Sequence, residues 1–222
     1  MKGRTIGLIG LTALILASGP ANCAVLFGPY AITGTLPVSF SNLGALAFSE
    51  GSLYAADTQG YIHQLDALTG EPVRDWLIPG FPSQAPDNVT GLAWDGSHFW
   101  LATYNTSRRY YLRQLTLGPG ADAIEGTTFT LSGQPTDLTY RNGQLLYSEY
   151  LGPIRTFDLI VGREVGSIPS PSQTVYGLAF DGQDLLAAHF QGGTIYRISA
   201  LDGSILETWQ CGAANTYGMA HD

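Results

Sequence analysis

Large apolar residues alternate with small ones in a phrase that recurs along the chain. Gly91-Leu92-Ala93-Trp94-Asp95-Gly96 has counterparts in Ala45-Leu46-Ala47-Phe48, Asp137-Leu138-Thr139-Tyr140, Gly177-Leu178-Ala179-Phe180-Asp181-Gly182 and Gly218-Met219-Ala220-His221, at steps of 46, 46, 40 and 41 residues. Residues two apart share one face of a strand. Leu46, Leu92, Leu138, Leu178 and Met219 therefore form one buried register, with Phe48, Trp94, Tyr140 and Phe180 beside them. Such a stripe reads as packing between neighbouring sheets, not as a ligand platform.

A unit of roughly 40 to 50 residues holding several strands predicts β-propeller blades. The first unit divides into strands over 45–48, 52–56, 61–65 and 73–78, with glycine-bearing turns at 50–51, 58–60 and 69–70. The second repeats the plan over 91–94, 99–103, 110–117 and 127–131. The third runs from 137 through 144–148 and 154–159 to about 168, and the fourth from 177 through 184–188 and 194–198 to 205–211. Asp66, Thr116, Asp158 and Ser199 follow the third strands as turn-capping side chains, and Asp95 and Asp181 do the same after the first strands.

The fold class is thus all-β: a propeller of about four four-stranded blades plus the first strand of a fifth repeat. The fifth repeat lacks two middle strands, so either four blades close the ring or the chain is a fragment of a larger propeller. A strand around 30–36 is the candidate to join the last blade from the N-terminal side.

Before the repeats, Lys2 and Arg4, the apolar run 6–17 and the small residues Ser18-Gly19-Pro20-Ala21 describe a secretory signal. The run is too short for an ordinary membrane span. This divides the chain into a signal peptide, 1–23, and a single propeller domain, 24–222, secreted or periplasmic. A lipid anchor on Cys23 is the alternative use of that cysteine. If Cys23 leaves with the signal, Cys211 stands alone as a small core residue without an intrachain disulfide. The formal net charge is −8, which argues against nucleic acid and anionic membrane as partners.

Candidate chemistry gathers where the repeats superpose. Asn42, Asn88, Gln134, Thr174 and Asn215 lie three residues before each phrase, and Asp57, Thr103, Glu149 and His189 lie twelve residues after its start. A propeller brings both sets to one channel mouth. Asp57, Glu149 and His189 are the residue types that hold Ca²⁺, Zn²⁺ or Mn²⁺. Tyr104, Asn105, Tyr150 and Phe190 follow the second set and offer aromatic faces and amides to a sugar or peptide. His63 and His98 read as exposed strand or turn residues. No nucleophile has a marked context, and there is neither a phosphate loop nor a CxxC pair.

The phrase, together with Ile195-Tyr196-Arg197-Ile198 and Leu201-Asp202-Gly203, resembles a broad group of exported bacterial propellers with NHL-type, YVTN-type, gluconolactonase-like and glutamine cyclotransferase-like repeats. The resemblance spans residues 43–222 and marks the blade. It implies three functions: a noncatalytic binding propeller taking a small molecule, glycan or protein at the channel face, a metal-dependent lactonase or hydrolase, or a glutamine cyclotransferase. Lactonase-like members hold a divalent metal through Glu, Asn and Asp, parts that Glu149, Asn88 and Asp57 would take. In a cyclotransferase Glu149 would shuttle protons.

Overall fold

The computed structural model describes residues 13–17, 22–27, 31–37, 42–81, 88–210 and 216–221, with side chains from Asn42 onward. Cys211 and Asn215 lie outside the described residues, as do residues 1–12, where the basic start falls.

Four blades follow one another along the chain. Blade 1 comprises β4 (Leu43–Ser49), β5 (Ser52–Asp57), β6 (Tyr61–Asp66) and β7 (Pro72–Leu77), after the N-terminal strands β1 (Ala13–Ala17), β2 (Asn22–Phe27) and β3 (Ala31–Pro37). Blade 2 comprises β8 (Asn88–Trp94), β9 (Phe99–Tyr104), β10 (Tyr110–Thr116) and β11 (Ile124–Thr130). Blade 3 comprises β12 (Pro135–Arg141), β13 (Gln144–Glu149), β14 (Ile154–Asp158) and β15 (Arg163–Ile168). Blade 4 comprises β16 (Val175–Phe180), β17 (Leu185–His189), β18 (Thr194–Ile198) and β19 (Ile205–Gln210), and β20 (Thr216–Ala220) follows it. Each is an antiparallel meander of neighbouring strands.

The recurring phrase supplies the inner strands β4, β8, β12, β16 and β20, and successive members of this set are neighbours, β20 touching both β16 and β4. The chain is therefore a propeller, and its ring closes. The strand expected around 30–36 joins the fifth phrase from the N-terminal side as β3, and the two middle strands expected to be missing are supplied by β1 and β2: β20 pairs with β1, β1 with β2 and β2 with β3, forming a closing sheet of order β20-β1-β2-β3. The structure thus places Ala13–Ala17, part of the apolar run 6–17, beside the C-terminal strand. An unpaired β20 would expose a row of backbone donors and acceptors, and pairing with a segment from the other end satisfies them.

Packing follows the predicted register. Leu46, Leu92, Leu138, Leu178 and Met219 are all buried, and five apolar clusters fill the spaces between successive sheets. Ala93, Trp100, Leu138 and Tyr147, for example, join blades 2 and 3. The first residue of the phrase is small because inner strands approach closely there: a Cβ on Gly91 would lie 2.5 Å from the backbone nitrogen of Leu138. The turn caps also hold, with Oδ1 of Asp66 accepting from the N–H groups of Leu68 and Thr69, and Oδ1 of Asp158 from Ile160 and Val161. Asp95 and Asp181 cap their hairpins the same way. At the ends of the inner strands a cavity of about 180 Å³ is lined by phrase residues, Trp94, Tyr140, Phe180 and His221 among them.

Candidate functional site

Each of the four blades opens toward the channel in one way. Leu43 pairs with Asp57, Val89 with Thr103, Pro135 with Glu149 and Val175 with His189, and in every case the register shifts at the next pair. Such a bulge bends the strand and re-aims the side chains beside it. One step outward, Asn88 pairs with Tyr104, while the N–H groups of Thr58, Tyr150 and Phe190 donate to the carbonyls of Asn42, Gln134 and Thr174. In each blade the two sets identified at equal offsets from the phrase thus lie one residue out of register with each other at the same end of the first two strands.

Aromatic side chains gather at that end of blade 4. The Tyr176 ring lies 4.8 Å from Phe190 and 6.5 Å from Tyr217, and Phe190 lies 5.2 Å from Tyr217. Burial, and then the hydroxyls of Tyr150, Tyr104 and Tyr217, push the Tyr176 phenol up, so at neutral pH it remains a hydrogen-bond donor. Tyr176 and Phe190 of blade 4 thus cluster with Tyr217 of the closing sheet, and the Tyr176 phenol feels the hydroxyls of Tyr104 and Tyr150. Tyr176 and Tyr217 escape the sequence reading. Both immediately precede the phrase, a column occupied by Gly44, Thr90 and Thr136 in the other repeats, and that column carries the signal.

The three metal candidates are each engaged by neighbouring protein groups. Asp57 is buried; its Oδ1 accepts from the N–H groups of Gln59 and Tyr61, and its Oδ2 lies 3.3 Å from Nε2 of His63. Glu149 accepts from Nε of Arg155 at 2.6 Å, and its carboxylate sits where a Cβ on Gly133 would fall, 2.0 Å from Oε1. His189 bonds Thr174 through Nε2 and the Gln191 carbonyl through Nδ1. Among the described residues, no group of three or more His, Cys, Asp or Glu is arranged to hold a metal ion.

The residues that engage these acids occupy one station on the third strands. His63 pairs with Ala55, Arg113 with Leu101, Arg155 with Tyr147 and Tyr196 with Ala187, each opposite the residue two before Asp57, Thr103, Glu149 or His189. His63 is a correction: it is 4% exposed, not a surface residue, because Nδ1 bonds Asp75 at 2.8 Å while Nε2 faces Asp57. Arg155 likewise stands between Glu149 and Glu164, the latter also accepting from Tyr147 at 2.6 Å. Asn105 lies off the mouth, lining a groove between blades 1 and 2 and capping its own turn through Oδ1.

One more carboxyl marks the axis. Asp137 replaces the small first residue of the phrase and is completely buried. Its Oδ1 accepts from the N–H of Leu138 at 2.8 Å, and its Oδ2 from those of Leu178 at 2.6 Å and Met219 at 3.3 Å. Burial pushes this carboxyl well above the usual carboxylate range, while the three N–H groups pull it back.

The fold is that of a β-propeller, and Tyr176, Phe190 and Tyr217 form an aromatic cluster where blade 4 meets the closing sheet. No protein-family model matches the chain, and no curated protein matches it. Among solved structures it is similar to a Myxococcus xanthus glutaminyl cyclase, with 19% identity, 78% of this chain and 72% of the other covered, and a TM-score of 0.64. It is also similar to a protein of unknown function from Bacteroides caccae, at 12% identity over 90% of this chain and 72% of that one, TM-score 0.57. A third likeness is the β-propeller domain of Myceliophteria thermophila Cps50 (Swd1), at 15% identity over 80% of this chain and 58% of that one, TM-score 0.50. At these identities the likeness is one of fold.

Proposed function

We propose that this chain is a binding propeller whose tyrosine-lined mouth receives a neutral, ring-bearing polar ligand of the saccharide class. The observation that carries the reading is the ring cluster of Tyr176, Phe190 and Tyr217, with the hydroxyls of Tyr104 and Tyr150 near enough to act on the Tyr176 phenol. Aromatic faces pack against the apolar faces of a sugar ring, while phenol hydroxyls and the amides of Asn88 and Gln134 meet its hydroxyl groups. Glu149 supports binding over proton transfer, since its Oε2 is already held by a guanidinium.

The test is calorimetric titration of the full chain with neutral oligosaccharides, beside Tyr176→Ala. Binding that weakens about tenfold or more in the variant, the loss expected when a central aromatic contact is removed, supports the reading; equal binding by both proteins, or none by either, overturns it. A second reading, cyclisation of N-terminal glutamine, is favoured by the fold likeness to a glutaminyl cyclase and by Glu149 beside the mouth. Turnover of a glutaminyl peptide that disappears in Glu149→Gln would replace the first reading with the second.

A further inference from the structure

Blades 1 and 3 hold the cation of the third strand between two acids, one at the end of the second strand and one on the outer strand. In blade 1 these are Asp57 and Asp75 around His63, and in blade 3 Glu149 and Glu164 around Arg155. Blade 2 has the cation, Arg113, and the outer acid, Glu125, whose Oε1 and Oε2 accept from Nε at 2.9 Å and Nη2 at 2.8 Å. The remaining acid is missing. Its station is taken by Thr103, which is fully buried and whose Oγ1 has no hydrogen-bond partner among the described residues.

A groove of about 490 Å³ between blades 1 and 2 is lined by Arg113, Gly80, Phe81, Asn105, Ser107 and Tyr111 among others, and Tyr111 is the strand partner of Thr103. The Arg113 side chain is 9% exposed. Nη2 also donates to the Pro79 carbonyl at 2.6 Å, and the guanidinium lies 5.6 Å from the Phe81 ring centroid. Nη1 makes no hydrogen bond to another described residue. The guanidinium is thus fixed on three sides by groups that leave one donor edge unused, an arrangement pre-organised for a further acceptor.

We infer that this groove binds a carboxylate, which takes against Arg113 the place that Asp57 and Glu149 hold against His63 and Arg155. Two carboxylates on one cation is no novelty in this molecule, since blade 3 builds that cluster from its own chain. A carboxylate fits better than a neutral group because Nη1 is a charged donor on a side chain only 9% exposed, and a charge-assisted bond is stronger than a neutral one. The carboxylate has two sources, a small free acid or the C-terminus of a peptide, and the groove is large enough for the second.

The experiment uses the full chain with three probes: acetate, N-acetylglycine and N-acetylglycinamide. Binding is followed by calorimetry and by the ¹⁵N shift of the Arg113 Nε. N-acetylglycine is expected to bind about tenfold or more tightly than its amide, the margin of one charge-assisted hydrogen bond. Acetate binding as tightly as N-acetylglycine assigns the site to small acids; weaker acetate assigns it to peptide C-termini. Thr103→Glu supplies the absent acid from within and should abolish binding of both acids without lowering the melting temperature. Arg113→Gln should also abolish it, but strands Glu125, so Thr103→Glu is the deciding variant. Equal binding of acid and amide, binding of none of the probes, or undiminished binding by a folded Thr103→Glu protein overturns the inference.

Discussion

Blades 1 and 3 share one scaffold and differ in what it carries. Both set an acid at the end of the second strand and a cation six residues later, with a second acid on the outer strand. Blade 1 uses a histidine, 5% exposed in its side chain, and blade 3 an arginine, 30% exposed. A histidine can give up its charge near neutral pH and an arginine cannot. At the first residue of the phrase, blade 1 has the buried Ala45 where blade 3 has Asp137. Equivalent stations in a repeat fix where side chains meet; the residue types there decide whether a blade is fixed in charge, sensitive to pH or tied to the axis.

The largest break in this comparison comes from making the axis of blade 3 resemble that of blade 1. Asp137→Ala removes the acceptor for the N–H groups of Leu138, Leu178 and Met219, the second of which belongs to blade 4 and the third to the closing sheet. Each stranded buried donor costs about 1–3 kcal/mol, so a loss of about 3 kcal/mol or more is expected. Denaturant unfolding measures it as a lower midpoint. A loss below about 1 kcal/mol, within the range of an ordinary surface change, would mean that blade 3 holds the axis no more firmly than blade 1.

The stations were legible in the sequence; their orientation was only partly so. The phrase at steps of 46, 46, 40 and 41 residues placed all five inner strands, because close inner-strand packing admits little variation there. Equal offsets from the phrase likewise pointed to matching ends of the first two strands in each blade. The engagement of Asp57 and Glu149 was missed because their partners lie on the next strand, although the signal, an acid followed six residues later by His63 or Arg155, stands in the sequence. Of the closing sheet's N-terminal strands only β3 was legible, as the strand around 30–36, and β1 and β2 were missed for a different reason. Residues 13–37 carry no copy of the phrase, and the apolar run that supplies β1 has the composition of an export signal, so periodicity could not connect it to β20.

A smaller effect is expected from removing the cation of blade 3. Arg155→Met leaves the carboxylates of Glu149 and Glu164 facing one another, with Tyr147 still donating to Glu164. Breaking a fully buried pair costs about 3–5 kcal/mol. Partial exposure of all three groups discounts this to about 1–2 kcal/mol through solvent screening. The loss should shrink as salt is raised, because the remaining interaction is a repulsion between like charges. A salt-independent fall in melting temperature would instead assign Arg155 a packing role.

The smallest effect separates the two blades most cleanly, because only blade 1 titrates near neutrality. Burial alone would lower the His63 value, but hydrogen bonds to Asp57 and Asp75 and the charges of both acids outweigh it and hold the imidazolium above its ordinary value of 6.5. Since the folded value exceeds the unfolded one, the stabilisation is fully present below about pH 6.5 and is lost as pH rises through the folded value. Blade 3 contributes no such loss there, since arginine keeps its proton. The Tyr61 ring stacks on His63 with centroids 6.1 Å apart. Stability of the wild type minus that of His63→Gln, taken at each pH, cancels His98, His189 and His221 and should fall with rising pH by on the order of 1 kcal/mol at most. A difference that is flat, or that grows with pH, would mean that His63 sits neutral between its two acids, and that blade 1 does not share the acid, cation, acid arrangement of blade 3.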